Sequence, residues 1–243
     1  MYFDMVTSPG KKSFNINGFA IVSDMYDSVE LAAILNAINK GDKTKDTFRK
    51  THDLFAIRQV LKEVPELSNL VFNQSLKSLI RDLFGDEYFV VKSIYFDKPT
   101  ASNWFVPWHQ DLTVSVDKKV ECDGYGPWTV KQNQFAVQPP LAILKENFTI
   151  RIHLDDADEG NGALKVLPGS HLKEIYRPET IDWKTEKPYT CNVKAGDIMI
   201  MRPLLMHASS RTTNNKPRKV IHIEFAKAEL PSIIKWSERL ALS

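Results

Sequence analysis

The stretch YFVVKSIYF at residues 88–96 marks the point where this sequence changes from a helical to an extended pattern. β-Branched and aromatic residues dominate it, which favours a β-strand. In the preceding part of the chain, apolar residues recur at helical spacing in residues 28–39, 51–60 and 75–84. We therefore expect a mostly helical N-terminal part at residues 1–88, followed by strands.

Beyond residue 96, short extended segments alternate with loops rich in Pro, Gly and Asn. Further strands are predicted at residues 147–154, 163–167, 189–193, 198–202 and 219–226. Many short strands after a helical opening are typical of a mainly β fold, here a double-stranded β-helix (a jelly-roll or cupin-like barrel) with helices packed on one face. The length fits a single domain at residues 1–243, with the jelly-roll core at 89–228 and a C-terminal helix within 229–243.

Charge and hydropathy argue against two classes of partner. The net charge of +2 is spread without a basic stripe, so no nucleic-acid partner is expected. No apolar run approaches the roughly 20 residues that span a bilayer, and no signal peptide is visible. We therefore expect a cytoplasmic protein without a membrane partner, in which Cys122 and Cys191 are free thiols.

The segment WHQD at residues 108–111 offers two metal-binding side chains. Residues two apart in an extended segment point to the same side, so His109 and Asp111 can reach one ion together. A third ligand must come from a strand distant in sequence, and His207 is the candidate. Two imidazoles and one carboxylate, with the opposite face of the metal open, form the side-chain set of a mononuclear non-haem iron(II) site.

Arg218 follows His207 after a polar segment that separates two apolar runs, residues 198–206 and 220–225. This pattern predicts two antiparallel strands joined by a loop, which would bring Arg218 back beside His207. A guanidinium at that place can bind a carboxylate in bidentate fashion. A keto acid that chelates the metal would then place its far carboxylate on Arg218.

These residues occur in the order found in the phytanoyl-CoA dioxygenase family of iron(II)/2-oxoglutarate-dependent oxygenases, which the chain resembles over roughly residues 15–228. Further segments share in the resemblance: Asn17 to Val22, Asn161 to Leu164, Leu167 to His171, and Gly196-Asp197. The resemblance implies that His109, Asp111 and His207 are the catalytic iron ligands. It also implies that Arg218 and Ser209 bind the co-substrate 2-oxoglutarate.

The implied reaction consumes dioxygen and 2-oxoglutarate at iron(II), releases succinate and CO2, and hydroxylates a small metabolite or biosynthetic intermediate. The halogenases of the family replace the carboxylate ligand with a small residue, so the presence of Asp111 favours oxygenation. Arg151 stands where some relatives carry an aromatic residue facing the co-substrate. The family's known substrates are diverse, and the motifs encode neither the substrate of this chain nor its oligomeric state.

Four residues are candidates for contact with the substrate. Arg151 and His153 share one face of a predicted strand that could point into the barrel. Tyr125 and Trp128 lie in the long segment 113–138, which we interpret as a lid over the substrate. The alternative interpretation of that segment is a surface insertion whose aromatic side chains pack on the barrel.

Two alternative functions compete with hydroxylation. The same centre could catalyse desaturation, cyclisation or epimerisation, which only product analysis separates from hydroxylation. A function of another class is a cupin-like barrel that holds zinc or another ion and acts as an isomerase or as a non-catalytic binding module. The position of Arg218 argues against this last reading.

Overall fold

Antiparallel β-sheets dominate the computed structural model, which describes residues 8–42, 44–45, 47–52, 55–100, 102–131 and 134–242. The α-helices are α1 Ser8–Asn17, α2 Ser28–Lys40, α3 Val60–Glu63, α4 Leu67–Val71, α5 Gln74–Phe84 and α6 Leu141–Glu146. The strands are β1 Phe19–Val22, β2 Phe48–Lys50, β3 Phe55–Arg58, β4 Phe89–Lys98, β5 Val106–His109, β6 Val114–Val116, β7 Trp128–Lys131, β8 Gln134–Val137, β9 Phe148–His153, β10 Leu164–Val166, β11 Tyr189–Thr190, β12 Ile198–Met201, β13 His207–Ser209, β14 Arg218–Ala226 and β15 Leu240–Ala241. Short 3₁₀ helices occupy Glu159–Asn161, Ser170–Lys173 and Pro178–Thr180.

The chain repeatedly crosses between two sheets, as in a jelly roll. The larger sheet has the order β1-β12-β9-β14-β4-β3-β2, with β15 paired to β4, and the smaller sheet has the order β11-β10-β13-β5. Successive strands β4 and β5, β9 and β10, β11 and β12, and β13 and β14 lie in different sheets. This connectivity brings residues far apart in sequence to the space between the sheets, and it agrees with the predicted double-stranded β-helix.

Alternation along β14 divides the larger sheet into an apolar and a polar face. Ile221 and Ile223 belong to the core formed with the N-terminal helices, and Phe225 joins them after a bulge. Phe148 stacks between Phe225 and Phe84 of α5, with ring centroids 4.7 and 3.7 Å apart. The other face of β14 carries a different set of side chains, namely Arg218, Val220, His222 and Glu224.

Helices α2 and α5 match the predicted segments 28–39 and 75–84 because strong local signals define them. Asp27 and Glu30 form a capping box at the start of α2. Asn73 caps α5, which ends at Gly85 with a φ of 95° that favours glycine. Their apolar stripes cover the outer face of the larger sheet, so the helices pack on one side of the barrel as expected.

Two local predictions are wrong because strand pairing decides the structure there. Residues 55–58 were expected to be helical but form β3, which extends the larger sheet beyond β4. The predicted hairpin of residues 198–206 and 220–225 does not form. Strand β12 ends at Met201, and the chain then enters the smaller sheet as β13 before it returns as β14.

The predicted C-terminal helix is also wrong. Within residues 229–242 the chain forms turns and the short strand β15, which pairs with β4. Buried Glu238 accepts hydrogen bonds at 2.7 Å from both the backbone N–H and the hydroxyl of Ser93. Trp236 packs with Val114 and Val116 of β6. These tertiary contacts favour the extended conformation over the helix that the apolar spacing indicated.

Glu238 is expected to make stability fall as pH rises. Burial raises the pKa of its carboxyl from 4.5 to about 7, against the opposing hydrogen bonds from Ser93. The folded state therefore binds the carboxyl proton more tightly than the unfolded state does. The resulting contribution to the free energy of unfolding, roughly 3 kcal/mol, is fully present below the unfolded pKa and is lost as the pH rises to about 7. The free energy of unfolding, measured with urea at several pH values between 4.5 and about 7, should depend less on pH in Glu238→Gln than in the wild type. Parallel curves would contradict the assignment.

Segment 113–138 is an ordered insertion in its described part. Strands β6, β8 and β7 form a third sheet, in that order. Tyr125 and Trp128 pack against a buried cluster that includes Val137 and Leu144, as the alternative interpretation describes. Cys122 and Cys191 are free, as expected. The helices in the described part of the chain are all too short or too polar to cross a membrane.

Candidate metal centre

Three potential metal ligands meet at one end of the smaller sheet. His109 ends β5 and His207 begins β13, and the two residues are direct partners in the strand register. Their ring centroids are 4.2 Å apart. The Asp111 carboxylate lies beside both, with one oxygen 3.8 Å from Nε2 of His109 and the other 3.8 Å from Nε2 of His207. The donor atoms therefore surround a space that an ion can occupy.

Backbone contacts fix the tautomers of both histidines. Nδ1 of His109 lies 2.8 Å from the carbonyl oxygen of Pro107, and Nδ1 of His207 lies 2.8 Å from that of Leu205. A carbonyl only accepts, so each Nδ1 carries the hydrogen and each Nε2 presents a lone pair towards Asp111. Burial lowers the pKa of His207 to about 4, against the attraction of Asp111, which keeps the ring neutral.

Asp111 is held in its charged form. Burial by itself would raise its pKa, but His207 and Lys92 outweigh this and lower the pKa to about 2. Its buried Oδ2 has no hydrogen-bond partner among the described residues. An ionised carboxylate with an unpartnered oxygen, facing two imidazole lone pairs, fits a divalent metal.

Gln110 points away from the centre and anchors the segment that carries His109 and Asp111. Its side-chain amide donates to the carbonyl oxygens of Leu204 at 2.5 Å and Glu174 at 2.8 Å. Its oxygen accepts a hydrogen bond from the backbone N–H of Tyr176 at 2.8 Å. These bonds, and that from the Asp111 N–H to the Pro203 carbonyl, join the loops carrying the ligands.

The Pro-Gly-Ser-His turn holds the strand that carries the third ligand. The hydroxyl of Ser170 accepts a hydrogen bond from the N–H of Met206 at 2.8 Å. The N–H of Leu167 donates a hydrogen bond to the carbonyl oxygen of Met206. These two bonds orient Met206, the residue directly before His207.

Arg218 lies on the same side of the barrel as the three ligands and is only 5% exposed. Its Nη2 is 3.4 Å from the hydroxyl of Ser209, which donates at 2.9 Å to the carbonyl of Gly162. Its Nε has no partner within the described chain. Burial and the neighbouring Arg151 lower the pKa of Arg218 to about 9. A buried guanidinium without a carboxylate partner is costly, so the place suits a bound anion.

Arg151 faces the same cavity, whereas His153 is not among the side chains that line it. Nη1 of Arg151 donates to Nδ1 of His222 at 3.1 Å. His153 is 2% exposed, and both of its ring nitrogens lack partners in the described structure. Burial, together with Arg151 and Arg218, holds the pKa of His153 well below its usual value, so the ring is neutral.

A row of hydrogen-bonded polar side chains beside the candidate metal centre was not predicted from the sequence. An arginine only donates, so Nδ1 of His222 accepts from Arg151 and its Nε2 donates to Glu224 at 3.1 Å. Glu224 in turn pairs with Lys92 at 2.7 Å. The sequence did contain one indication of it. Arg218, His222 and Glu224 are separated by even numbers of residues, so their side chains lie on one face of β14. Because both nitrogens of His222 are engaged, it offers no lone pair to a metal.

The ligands and both arginines line one cavity of about 140 Å³ between the two sheets, termed the metal-site cavity. Lys92, Ile94 and Ser209 also line it. Tyr125 and Trp128 are absent from this lining, so in the described structure neither predicted aromatic contact reaches the site.

Comparison with known proteins identifies the family. Residues 14–220 match the model of the family described as phytanoyl-CoA dioxygenase. The chain belongs to the phytanoyl-CoA dioxygenase family. This confirms the resemblance seen in the sequence, and the match includes every proposed iron ligand and Arg218.

Among curated proteins, the chain is similar to the ectoine dioxygenases of Bordetella parapertussis and Bordetella bronchiseptica. Each is 22% identical over 182 residues, covering 72% of this chain and 52% of the relative. The chain therefore spans about half the length of the curated relatives that it matches.

Solved structures share the fold. EctD from S. alaskensis with bound Fe superposes with a TM-score of 0.70 at 19% identity, covering 90% of this chain and 76% of that one. The carbocyclase SnoK from nogalamycin biosynthesis gives a TM-score of 0.67 at 16% identity, covering 92% and 85%. The epimerase SnoN of the same biosynthesis gives 0.65 at 15% identity, covering 88% and 80%. These likenesses confirm the predicted double-stranded β-helix.

Proposed function

We propose that this protein is an iron(II)- and 2-oxoglutarate-dependent oxygenase that hydroxylates a small metabolite or biosynthetic intermediate, with release of succinate and CO2. One observation carries the proposal. Two imidazole lone pairs and an ionised carboxylate converge in a cavity that also contains a buried guanidinium with no carboxylate partner among the described residues. This arrangement provides separate places for a metal and for an anionic co-substrate.

His109, Asp111 and His207 would hold iron(II), which supplies the activation of dioxygen when it is bound. The protein's part is to orient these ligands. The Nδ1–H bonds to Pro107 and Leu205 keep each Nε2 directed at the metal position. Three ligands on one side leave the opposite side open to small molecules from the cavity.

Arg218 would bind the far carboxylate of 2-oxoglutarate, with Ser209 beside it. Their contact at 3.4 Å places a hydroxyl and a guanidinium next to each other at the wall of the cavity. Burial strengthens an ion pair there, because little water competes for the charges. Arg151 adds a second cation to the same cavity and would favour an acidic co-substrate further.

Desaturation, cyclisation and epimerisation use the same centre, and analysis of the product separates them from hydroxylation. A zinc-holding isomerase or binding module remains the alternative of another class, and family membership argues against it. A cytoplasmic location is supported by the two free cysteines.

The function is tested by adding iron(II) and 2-oxoglutarate to the metal-free protein without oxygen. We expect a visible metal-to-ligand charge-transfer band that requires both components, because the keto acid must chelate the metal to produce it. After exposure to oxygen, succinate should form in proportion to the 2-oxoglutarate consumed. Tightly retained zinc and no response to the keto acid would support the isomerase or binding alternative instead.

A further inference from the structure

A second cavity of about 260 Å³, termed the outer chamber, lies against the metal-site cavity. Lys92 and Ile94 line both cavities, so the two cavities adjoin at these side chains. Three separate parts of the chain supply the polar lining of the outer chamber: Arg58 and Gln59 at the end of β3, Ser115 and Gln134 from the inserted sheet, and Ser237 from the C-terminal segment.

Strand register places Arg58 close to the metal centre. Arg58 of β3 pairs with Ile94 of β4, which pairs with His222 of β14. Directly opposed residues project from the same face of a sheet, so Arg58 points to the side on which His222 lies. With strands about 4.8 Å apart, the Arg58 Cα is about 10 Å from that of His222. Donor atoms of His222 and Asp111 belong to one group within 4.8 Å of each other.

Arg58 is a cation of the outer chamber that has no counter-ion in the described part of the chain. Its guanidinium makes no hydrogen bond or ion pair with the described residues, whereas Lys92 is paired with Glu224. The acids of the chamber are engaged elsewhere. Glu238 accepts from Ser93, and Asp117 accepts from the N–H of Lys235. Burial and nearby Arg49 lower the pKa of Arg58, which fits a half-buried cation without a neutralising partner.

We propose that the outer chamber binds the molecule to be oxidised and that this substrate is a small polar carboxylate anchored on Arg58. The inference rests on the proposed oxygenase function, which requires a second organic substrate beside the keto acid. A single guanidinium matches one carboxylate in bidentate fashion, while the Asp117 carboxylate would repel a phosphate dianion more strongly than a carboxylate monoanion. The volume is below the roughly 300–1,000 Å³ of sites for drug-sized ligands, which argues against a coenzyme A thioester.

The test uses three probes of similar shape: N-acetylglycine, its uncharged amide, and N-acetyl-aminomethylphosphonate. The protein is first loaded with iron(II) and saturating 2-oxoglutarate, so that the metal-site cavity is occupied, and binding is measured by calorimetry. N-acetylglycine should bind at least about 10-fold more tightly than either of the other probes. Equal affinity for acid and amide, no measurable binding of the acid, or a preference for the phosphonate would overturn the proposal.

Two variants identify the site of binding. Arg58→Leu should weaken N-acetylglycine binding by about 10- to 100-fold and leave amide binding unchanged, while Arg58→Lys retains most of the affinity. Arg81→Leu, an exposed position on α5 outside the lining of the chamber, removes the same charge and should have no such effect. Equal losses in the Arg58 and Arg81 variants would overturn the proposal. The charge-transfer band, recorded in the same samples, reports the oxygenase function separately, since it does not depend on Arg58.

Discussion

Replacement of Asp111 by alanine is expected to abolish both iron(II) binding and turnover of 2-oxoglutarate. The carboxylate lies 3.8 Å from Nε2 of each histidine and supplies the negative charge of the ligand set. Outer partners of metal ligands alone account for about 10- to 100-fold in affinity or activity, so the loss of a ligand should exceed about 100-fold. The charge-transfer band and succinate formation are the two measurements.

Asp156→Ala is the matched control, because this aspartate is exposed and pairs with Lys194 at the surface. The control should retain the band and full activity. An Asp111→Ala variant that folds and still binds iron(II) with near wild-type affinity would show that Asp111 is not a ligand.

Replacement of Arg218 by leucine is expected to raise the KM for 2-oxoglutarate by about 30-fold or more. Loss of one partner of a buried ion pair costs about 2–5 kcal/mol, and about 1.4 kcal/mol corresponds to each factor of ten. The apoprotein of the variant, in contrast, should be no less stable than that of the wild type, because the leucine replaces a buried cation that has no carboxylate partner within the described structure. Steady-state kinetics and thermal unfolding measure the two effects.

The unfolding experiment separates a binding role of Arg218 from a structural one. Addition of saturating 2-oxoglutarate to the iron(II)-loaded protein should raise the unfolding midpoint of the wild type and of the control Arg81→Leu, an exposed substitution on α5, above the value with iron(II) alone, but should not raise that of Arg218→Leu. A large loss of apoprotein stability with an unchanged KM would mean that Arg218 supports the barrel and does not bind the co-substrate.

The proposed iron ligands and Arg218 could be selected from the sequence because residue type and spacing single them out. His109 and Asp111 lie two apart at the end of a strand, and the family resemblance supplied their distant partners. The structure brings all of them into one cavity. Trp128 and Tyr125 could not be assigned in this way, since an aromatic residue in a long loop packs on the barrel as readily as on a substrate.

Local periodicity failed where tertiary pairing decides the conformation. Phe55 to Arg58 has helical spacing but completes the sheet beside β4, and the C-terminal segment is held extended by Glu238 and Trp236. The contacts between the side chains of Lys92, Glu224 and His222 were not predicted, for a related reason. A charged residue in a strand indicates a solvated face, and only the fold reveals that this face is the inside of the barrel.

His109 and His207 are direct neighbours across two strands, although about one hundred residues separate them in the chain. A metal bound to both imidazoles would therefore act as a cross-link between β5 and β13, which are adjacent in the smaller sheet. Closing a loop of that length restricts the unfolded chain more than a short clip does. Part of the free energy of metal binding would then become free energy of folding, so loss of iron would loosen the barrel as a whole as well as the site.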